Sequence, residues 1–316
     1  MKPAPFTYHL AQDVAETVTL LTRLGEDAKI LAGGQSLVPM MNLRLARPSA
    51  LIDITRIPGL SYLRAGPDGL HVGALTRHRA VETTQDPAVL GGFGVLPRSA
   101  RWIGHYPIRA RGTFGGSIAH GDSTSEWCLL AVLLDAEIVL AGPAGQRRVS
   151  AGDFFQGFLT TAAEPDEMVV EVWFPRPAPR AALTEFAPRQ GDFAVVAAAV
   201  SLDLEGGAGE SDGSDGSDGS GSGNGSGGDG NGSDGNGSGG ECRSARIVLG
   251  GVSPAPFVVD TRGLAGRPAS PATWRDAGDL AAAQIDPPDD GSGGAVYRRR
   301  LTATLVARAL AEASRR

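Results

Sequence analysis

The chain carries, at Thr113-Phe-Gly-Gly-Ser-Ile-Ala-His-Gly-Asp122, a glycine pair followed by a serine, and a similar pattern occurs earlier at Leu31-Ala-Gly-Gly-Gln-Ser36. In each copy an apolar residue leads into the glycines, and a hydroxyl side chain follows within two positions. Glycines let peptide N–H groups approach an anion with no Cβ in the way, so both stretches are suited to hold a phosphate. Gly-Gly is also an ordinary tight turn, and the residues alone leave both interpretations open.

The flanking patterns place each glycine pair between a strand and a helix. Lys29–Leu31 is predicted to be a strand, and a short helix is expected to begin near Ser36. The second pair is expected to lead from a strand toward a mostly apolar helix at Ser123–Leu134. A diphosphate has two ends to hold, and two such turns in one chain make the binding of a diphosphate as good an explanation as two ordinary turns.

Composition excludes several classes of protein. The chain has 316 residues, 41% of them hydrophobic, which is enough for two or three packed subdomains. Its formal charge of −6 equals the charge of six acidic residues in segment 206–240, which has no Lys or Arg. The remainder is therefore neutral, which argues against a nucleic-acid surface.

Two cysteines, Cys128 and Cys242, are too few to hold an iron–sulfur cluster or a thiolate zinc site, so we expect no metal on this chain and any cluster on another one. Such low cysteine usage is also typical of a reducing compartment. The first residues lack the apolar core of a signal peptide, and no run approaches the length of a membrane span. A cytoplasmic protein is the expectation.

Proline and glycine mark the domain organisation. The run Pro175-Arg-Pro-Ala-Pro179 indicates a boundary between domains. Beyond it, Phe193–Leu204 is predicted to be a strand, and the Gly/Ser/Asp-rich segment 206–240 a disordered insertion at the tip of a hairpin. Val296–Arg316 is predicted to be a basic amphipathic helix, with Arg298–Arg300 on its solvated face.

Four motifs, in order, resemble the FAD-binding medium subunit of the molybdenum hydroxylases, a family that includes the medium subunits of aerobic carbon monoxide dehydrogenase and xanthine dehydrogenase. The resemblance covers the chain apart from the insertion. It is carried by Ala32-Gly-Gly-Gln-Ser-Leu-Val-Pro-Met-Met-Asn-Leu-Arg-Leu-Ala46, Leu51-Ile-Asp-Ile-Thr-Arg-Ile-Pro-Gly-Leu60, Arg111-Gly-Thr-Phe-Gly-Gly-Ser-Ile-Ala-His120 and Gly191-Asp-Phe-Ala194, with further similarity at Leu249-Gly-Gly-Val-Ser-Pro-Ala-Pro256 and Tyr297-Arg-Arg-Arg-Leu301.

The resemblance implies an α+β fold. It places an FAD-binding module of the p-cresol methylhydroxylase type at 1–176, in two subdomains of about 1–56 and 57–176. A C-terminal domain like that of the carbon monoxide dehydrogenase flavoprotein is expected at 180–316, interrupted by the insertion 206–240.

The resemblance also implies a role and a set of cofactor contacts. In this family the medium subunit passes electrons through FAD from a small subunit with two [2Fe–2S] clusters, while a large subunit holds the molybdenum cofactor; the complex is expected to be a dimer of heterotrimers. No catalytic residue is expected on this chain. The residues predicted to contact FAD are Ala32, Gly33, Gly34, Gln35, Ser36, Ile103, Gly112, Thr113, Gly115, Gly116, Ser117, Asp122, Glu126 and Phe193.

Several of these residues have a structural alternative. Glu126 could instead complement the N-terminus of its helix, and Phe193 could be a core residue on a strand. Two departures from the family pattern, Phe114 and Trp127, put details of the pocket in question. A self-sufficient flavin oxidase and a non-redox flavin-binding scaffold are the alternative functions; the first would turn over an organic donor alone, and the second would hold no reducible flavin.

Overall fold

The N-terminal residues form a small parallel sheet backed by one helix. The computed structural model describes residues 2–205, 240–291 and 293–316, so the predicted disordered insertion, apart from Gly240, lies outside the described residues. Asp13 caps the first helix through its side chain, and Gly25, at φ +73°, ends it. The strands pair in the order β1-β3-β2. The elements are β1 (Thr7–Leu10), α1 (Val14–Leu24), β2 (Ala28–Leu31), α2 (Leu37–Asn42) and β3 (Ala50–Asp53).

The following segment folds into a five-stranded antiparallel sheet, β4-β5-β10-β6-β7, covered by short helices. The helix α8 is buried from Trp127 to Leu133 and forms the centre of the main core. The elements are β4 (Leu63–Gly66), β5 (Gly69–Gly73), α3 (His78–Glu82), α4 (Pro87–Phe93), α5 (Val95–Ser99), α6 (Tyr106–Arg111), α7 (Phe114–His120), α8 (Glu126–Leu133), β6 (Glu137–Gly142), β7 (Gly145–Ser150), α9 (Ala151–Phe154), β8 (Phe155–Gly157), β9 (Thr160–Thr161) and β10 (Met168–Phe174).

The C-terminal residues form a third, antiparallel sheet in the order β11-β12-β13-β14, with two long helices packed on it. The N–H of Glu205 donates to the carbonyl of Glu241 at 2.8 Å, so the chain on either side of 206–239 is joined by the β12–β13 hairpin. The elements are β11 (Ala181–Phe186), β12 (Val196–Leu204), β13 (Glu241–Gly250), β14 (Phe257–Val258), a 3-10 turn (Arg262–Leu264), β15 (Arg267–Pro268), α10 (Pro271–Ala283) and α11 (Ala295–Ala313).

Three local predictions were wrong. The second glycine pair follows a helix, α6, instead of a strand, and lies in the first turn of α7. The residue types from Thr76 to Thr83 also predict a helix capped by Thr76, but the hydroxyl of Thr76 donates to the carbonyl of Tyr62 at 2.7 Å, and Arg77 occupies the cap position of α3. The third error concerned Arg298, which is 4% exposed instead of solvated.

The longest of the helices that were not predicted is α10 (Pro271–Ala283). The sequence of α10 places Ala and Gly on its buried face, and these small residues give a weak apolar signal. Gly278 lets α10 approach α11 closely, since a Cβ there would lie 2.2 Å from the carbonyl oxygen of Ala303. No helix within the described ranges has the length and apolar character needed to cross a bilayer.

Candidate cofactor site

The first glycine loop connects β2 to α2 and presents a row of free amide groups. The N–H groups of the four residues 33–36 donate to no acceptor within the described residues. Gly34 has φ +69°, a conformation that turns successive N–H groups toward one side of the chain. The side chain of Gln35 holds the loop by donating to the carbonyl of Gly33 at 2.8 Å. The loop therefore offers four donors to an anion.

The second glycine segment is built differently, and one expectation about it was wrong. Its N–H groups were expected to surround a diphosphate, but they already have partners: that of Gly115 donates to the carbonyl of Ala74 at 2.9 Å, and that of Gly116 to the hydroxyl of Thr113 at 3.2 Å. The N–H of Ser117 donates to the carbonyl of Thr113 at 3.1 Å. The two bonds to Thr113 form because the glycines lie in the first turn of a helix that this residue caps, whereas the bond to Ala74 joins the segment to the chain after β5.

The two glycine segments are in contact with each other. A Cβ on Gly33 would lie 2.5 Å from the carbonyl oxygen of Arg111 and 2.7 Å from the Cα of Gly112. A Cβ on Gly116 would lie 3.9 Å from the Cβ of Ala32. Glycine is therefore required at position 33 by close approach of two backbones. The fold brings together residues that are about eighty positions apart in the sequence.

A buried histidine, His78, packs against Gly112 next to this contact. The indole N–H of Trp127 donates to Nδ1 of His78 at 2.9 Å, and the backbone N–H of His78 donates to the carbonyl of Gly112 at 3.1 Å. Burial, with the charges of nearby arginines, lowers the pKa of His78 to about 4, so its imidazole is neutral at neutral pH. Gly112 is thereby held by the backbone of His78 and packs against its imidazole, since a Cβ on Gly112 would lie 2.6 Å from Nε2.

The two residues that depart from the family pattern, Phe114 and Trp127, pack against each other. The ring of Phe114 stacks on that of Trp127 at 4.7 Å between centroids, and Phe174 meets Phe114 edge-on at 6.0 Å. Both Phe114 and Trp127 are fully buried. They form one aromatic cluster within the main core, beneath the second glycine segment.

Acidic residues follow the second glycine segment. The carboxylate of Asp122 accepts hydrogen bonds from the N–H and the hydroxyl of Thr124, both at 2.8 Å. Glu126 begins α8 and is partly buried. Burial raises its pKa, and the charge of Glu185 on β11 raises it further. Burial also raises the pKa of Glu185, whose Oε2 is buried with no partner among the described residues. The pattern of the sequence had not pointed to Glu185.

Phe193 lies on a loop before β12 and not within a strand. Its side chain is 72% exposed, which rules out the core interpretation. The loop rests on α6: Gly191 has φ +86°, and a Cβ there would lie 2.7 Å from the imidazole of His105. Ile103, two residues before His105, is 9% exposed and packs in the main core, so the structure brings its segment near Phe193 but shows little of its side chain.

A third glycine pair joins the two parts of the chain. A Cβ on Gly250 would lie 2.5 Å from the carbonyl oxygen of Ser123, and one on Gly251, at φ +77°, would lie 2.3 Å from that of Val195. The pair thus touches the turn after Asp122 on one side and the Phe193 loop on the other. In the sequence this pair is visible only as part of a motif. In the fold, glycine is required at both positions because each residue lies too close to another backbone to carry a Cβ.

The donor set suits an elongated anionic cofactor. The free amides of the first loop can hold a diphosphate, since hydrogen bonds to a charged acceptor are stronger than those to a neutral one. Beside them, the backbones of Gly33 and Gly112 touch because neither residue has a Cβ, and the C-terminal part of the chain supplies an exposed aromatic ring, that of Phe193. This chemistry fits FAD, which has a diphosphate and a flat ring system.

Comparisons with known proteins agree with this geometry. Residues 4–177 match the family described as the FAD binding domain in molybdopterin dehydrogenase, and residues 236–313 match the CO dehydrogenase flavoprotein C-terminal domain. The chain is 34% identical to the 6-hydroxypseudooxynicotine dehydrogenase complex subunit alpha of Paenarthrobacter nicotinovorans, over 100% of this chain and 97% of the relative. It is 32% identical to the carbon monoxide dehydrogenase medium chain of Afipia carboxidovorans, over 100% and 99%.

Solved structures give the same result. Carbon monoxide dehydrogenase from Hydrogenophaga pseudoflava superposes with a TM-score of 0.84 at 33% identity, covering 99% of this chain and 98% of that one. Quinoline 2-oxidoreductase from Pseudomonas putida 86 gives 0.85 at 31%, covering 100% and 99%. The expected α+β fold, with its FAD-binding module and C-terminal flavoprotein domain, is confirmed. The chain belongs to the family of FAD-binding subunits of the molybdenum hydroxylases, which are oxidoreductases.

Proposed function

We propose that this chain is the electron-transfer subunit of a cytoplasmic, heteromeric molybdenum hydroxylase. It receives electrons from [2Fe–2S] clusters on a small partner subunit and delivers them through FAD to an acceptor. A large partner subunit holds the molybdenum cofactor and oxidises the substrate. The assembly is a dimer of heterotrimers. Two relatives, one a dehydrogenase complex subunit and the other a carbon monoxide dehydrogenase medium chain, support the assignment to a complex.

The observation that carries the proposal is the row of four unpaired amides at 33–36, packed against the second glycine segment. Four adjacent N–H groups without acceptors are costly in a folded chain unless water or a ligand takes them. A diphosphate satisfies all of them at once, and the contact of Gly33 with Gly112 holds the loop in place without a ligand.

Each part of the site has a separate task in this proposal. The amides of Gly33, Gly34, Gln35 and Ser36 bind the diphosphate, and the hydroxyl of Thr113, which accepts from Gly116, still has a proton to donate. Asp122 and Glu126 accept hydrogen bonds from the ribose hydroxyls in this proposal. Phe193 covers the ring system. When bound, FAD supplies the one- and two-electron chemistry that the side chains of this chain lack.

A purification of the full chain with its native partners tests the proposal. A tag on this chain in its own host is expected to recover a flavin-containing complex with molybdenum and iron, at about one FAD and about four iron atoms per chain, as two [2Fe–2S] clusters require. Acid release of the chromophore identifies the flavin as FAD.

Two results would overturn the assignment. If the chain purifies alone, with FAD, and oxidises an organic donor without partners, it is a self-sufficient oxidase. If it purifies with partners but holds no flavin that dithionite can reduce, it is a scaffold. In the second case the Gly33 and Gly112 contact is a structural one and not part of a redox site.

A further inference from the structure

Arg298 is a buried cation at the start of α11, and its guanidinium binds three separate segments. Its Nη1 donates to the carbonyl oxygens of Val195 and Gly251 at 2.5 and 2.6 Å. Its Nε donates to the carbonyl of Gly293 at 3.2 Å, and its Nη2 to the carboxylate of Asp290 at 2.7 Å. Four acceptors in the right directions compensate for the loss of water around the charge.

The guanidinium joins the three segments at a place where the first two already touch. Val195 ends the Phe193 loop, Gly251 follows β13, and Asp290 and Gly293 precede α11. β12 pairs with β13 at Ala197 and Gly250, and a Cβ on Gly251 would lie 2.3 Å from the carbonyl oxygen of Val195. Arg298 therefore fixes the two carbonyl groups just beyond the end of this ladder. The carbonyl oxygens of Val195 and Gly251 point at the same nitrogen, and without a cation between them they would repel each other.

The Phe193 loop has three anchors, and two of them, the bonds to Arg298 and to Phe186, hold Val195 on its C-terminal side. The N–H of Val195 donates to the carbonyl of Phe186 at 2.8 Å and closes the loop at its base. Gly191 rests on His105. Phe193 lies between these anchors with its ring exposed, so its position depends on the two ends of a short loop instead of on packing of its own side chain.

We infer that Arg298 is a positioning residue of the flavin site. It holds the loop that presents Phe193 in register with the glycine turn that contacts Ser123. The inference rests on the proposed function for the placement of Phe193 against the flavin, but the anchoring of the loop is a property of this chain alone. Arg298 touches no cofactor itself; it acts through the backbone of Val195.

A double-mutant cycle in the full-length chain carrying FAD tests the inference. The variants are Arg298→Lys, Phe193→Ala and both together, with Arg300→Gln as the matched control, since Arg300 lies in the same run but is exposed. A lysine ammonium keeps the charge but lacks the planar fork that reaches all four acceptors. The readouts are the flavin reduction potential, the visible circular dichroism of the flavin, and hydrogen exchange of segment 187–195.

The expected result is a non-additive cycle. Arg298→Lys speeds amide exchange in 187–195 by about tenfold or more and changes the flavin dichroism. In its flavin dichroism and reduction potential the double variant resembles Phe193→Ala alone, while its exchange is as fast as that of Arg298→Lys. Arg300→Gln matches the unmodified chain. If Arg298→Lys does not fold, Asp290→Asn, which keeps the three carbonyl bonds, is expected to show a smaller change in the same direction.

Other outcomes separate the inference from the proposed function. Unchanged exchange in 187–195 overturns the inference, whether or not flavin is bound. Additive effects in the cycle, or a flavin unaffected by Phe193→Ala, overturn it as well, although FAD still binds. Faster exchange in a chain that binds no flavin overturns the proposed function and supports the anchoring of the loop by Arg298.

Discussion

Replacing Gly33 by alanine tests whether the contact between the two glycine segments forms the cofactor site. The new Cβ would lie 2.5 Å from the carbonyl oxygen of Arg111 and 2.7 Å from the Cα of Gly112. Neither neighbour is a flexible side chain, and the carbonyl of Arg111 is itself held by a hydrogen bond from the guanidinium of Arg77. The two segments must therefore separate by about 0.9 Å or more to reach an ordinary van der Waals distance.

The size of the effect follows from the hydrogen bonds at stake. The amides of 33–36 move with Gly33, and a shift of this size misaligns one or two of their bonds to a charged acceptor. Each such bond contributes about 1.5–3 kcal/mol. Loss of one raises the dissociation constant for FAD by about tenfold to a hundredfold.

Fluorescence titration of the deflavinated full chain with FAD measures this change. Gly91→Ala is the matched control, because Gly91 lies in α4 with no atom within 4 Å of its Cβ position. Alanine there is expected to leave FAD binding unchanged and to raise stability by about 0.5–1 kcal/mol. Urea unfolding of both apo-proteins separates loss of affinity from loss of fold.

One result would refute the reasoning. If Gly33→Ala binds FAD within about twofold of the unmodified chain, the approach of Gly33 to Gly112 plays no part in the site. The amides of the first loop would then serve some other acceptor, and the Gly-Gly pair at 33–34 would be a turn that happens to pack closely.

Three further predictions concern other parts of the chain. The pKa of Glu126 is raised on folding, to about 8, so its contribution to stability is present below the unfolded-state pKa and is lost as pH rises toward the folded value. In Glu126→Gln, the free energy of unfolding measured in urea is therefore expected to change less between about pH 5 and 8 and to exceed that of the unmodified chain at the upper end. Equal pH dependence of the two free energies would contradict this. Trp127→Phe leaves Nδ1 of His78 without its donor and should lower the free energy of unfolding by about 2–4 kcal/mol in the same assay, whereas a loss below about 0.5 kcal/mol would show that the bond contributes little. Deletion of 206–239 with a short linker is expected to leave the FAD content unchanged because Glu205 already bonds to Glu241; absorbance at the flavin bands measures this, and a colourless protein would contradict it.

Local patterns predicted most of the elements. The helix between Asp13 and Gly25 was predicted because a side-chain cap and a glycine terminator are both local signals. The buried strand β3 and the β6–β7 hairpin follow from short apolar runs and a glycine turn. The family motifs predicted the fold, which the similar structures confirm, but the assignment of individual cofactor contacts stays a prediction.

Sequence by itself determined the two glycine pairs, the domain order and the family, because these depend on residue types at fixed local spacing. Only the tertiary structure decided which amides are free, since the N–H of Gly115 donates to the carbonyl of Ala74, a residue about forty positions earlier in the sequence. It also decided that Phe193 is exposed and Arg298 buried. Both outcomes depend on which backbone carbonyls converge in space, and that convergence follows from the packing of sheets and helices distant in the sequence.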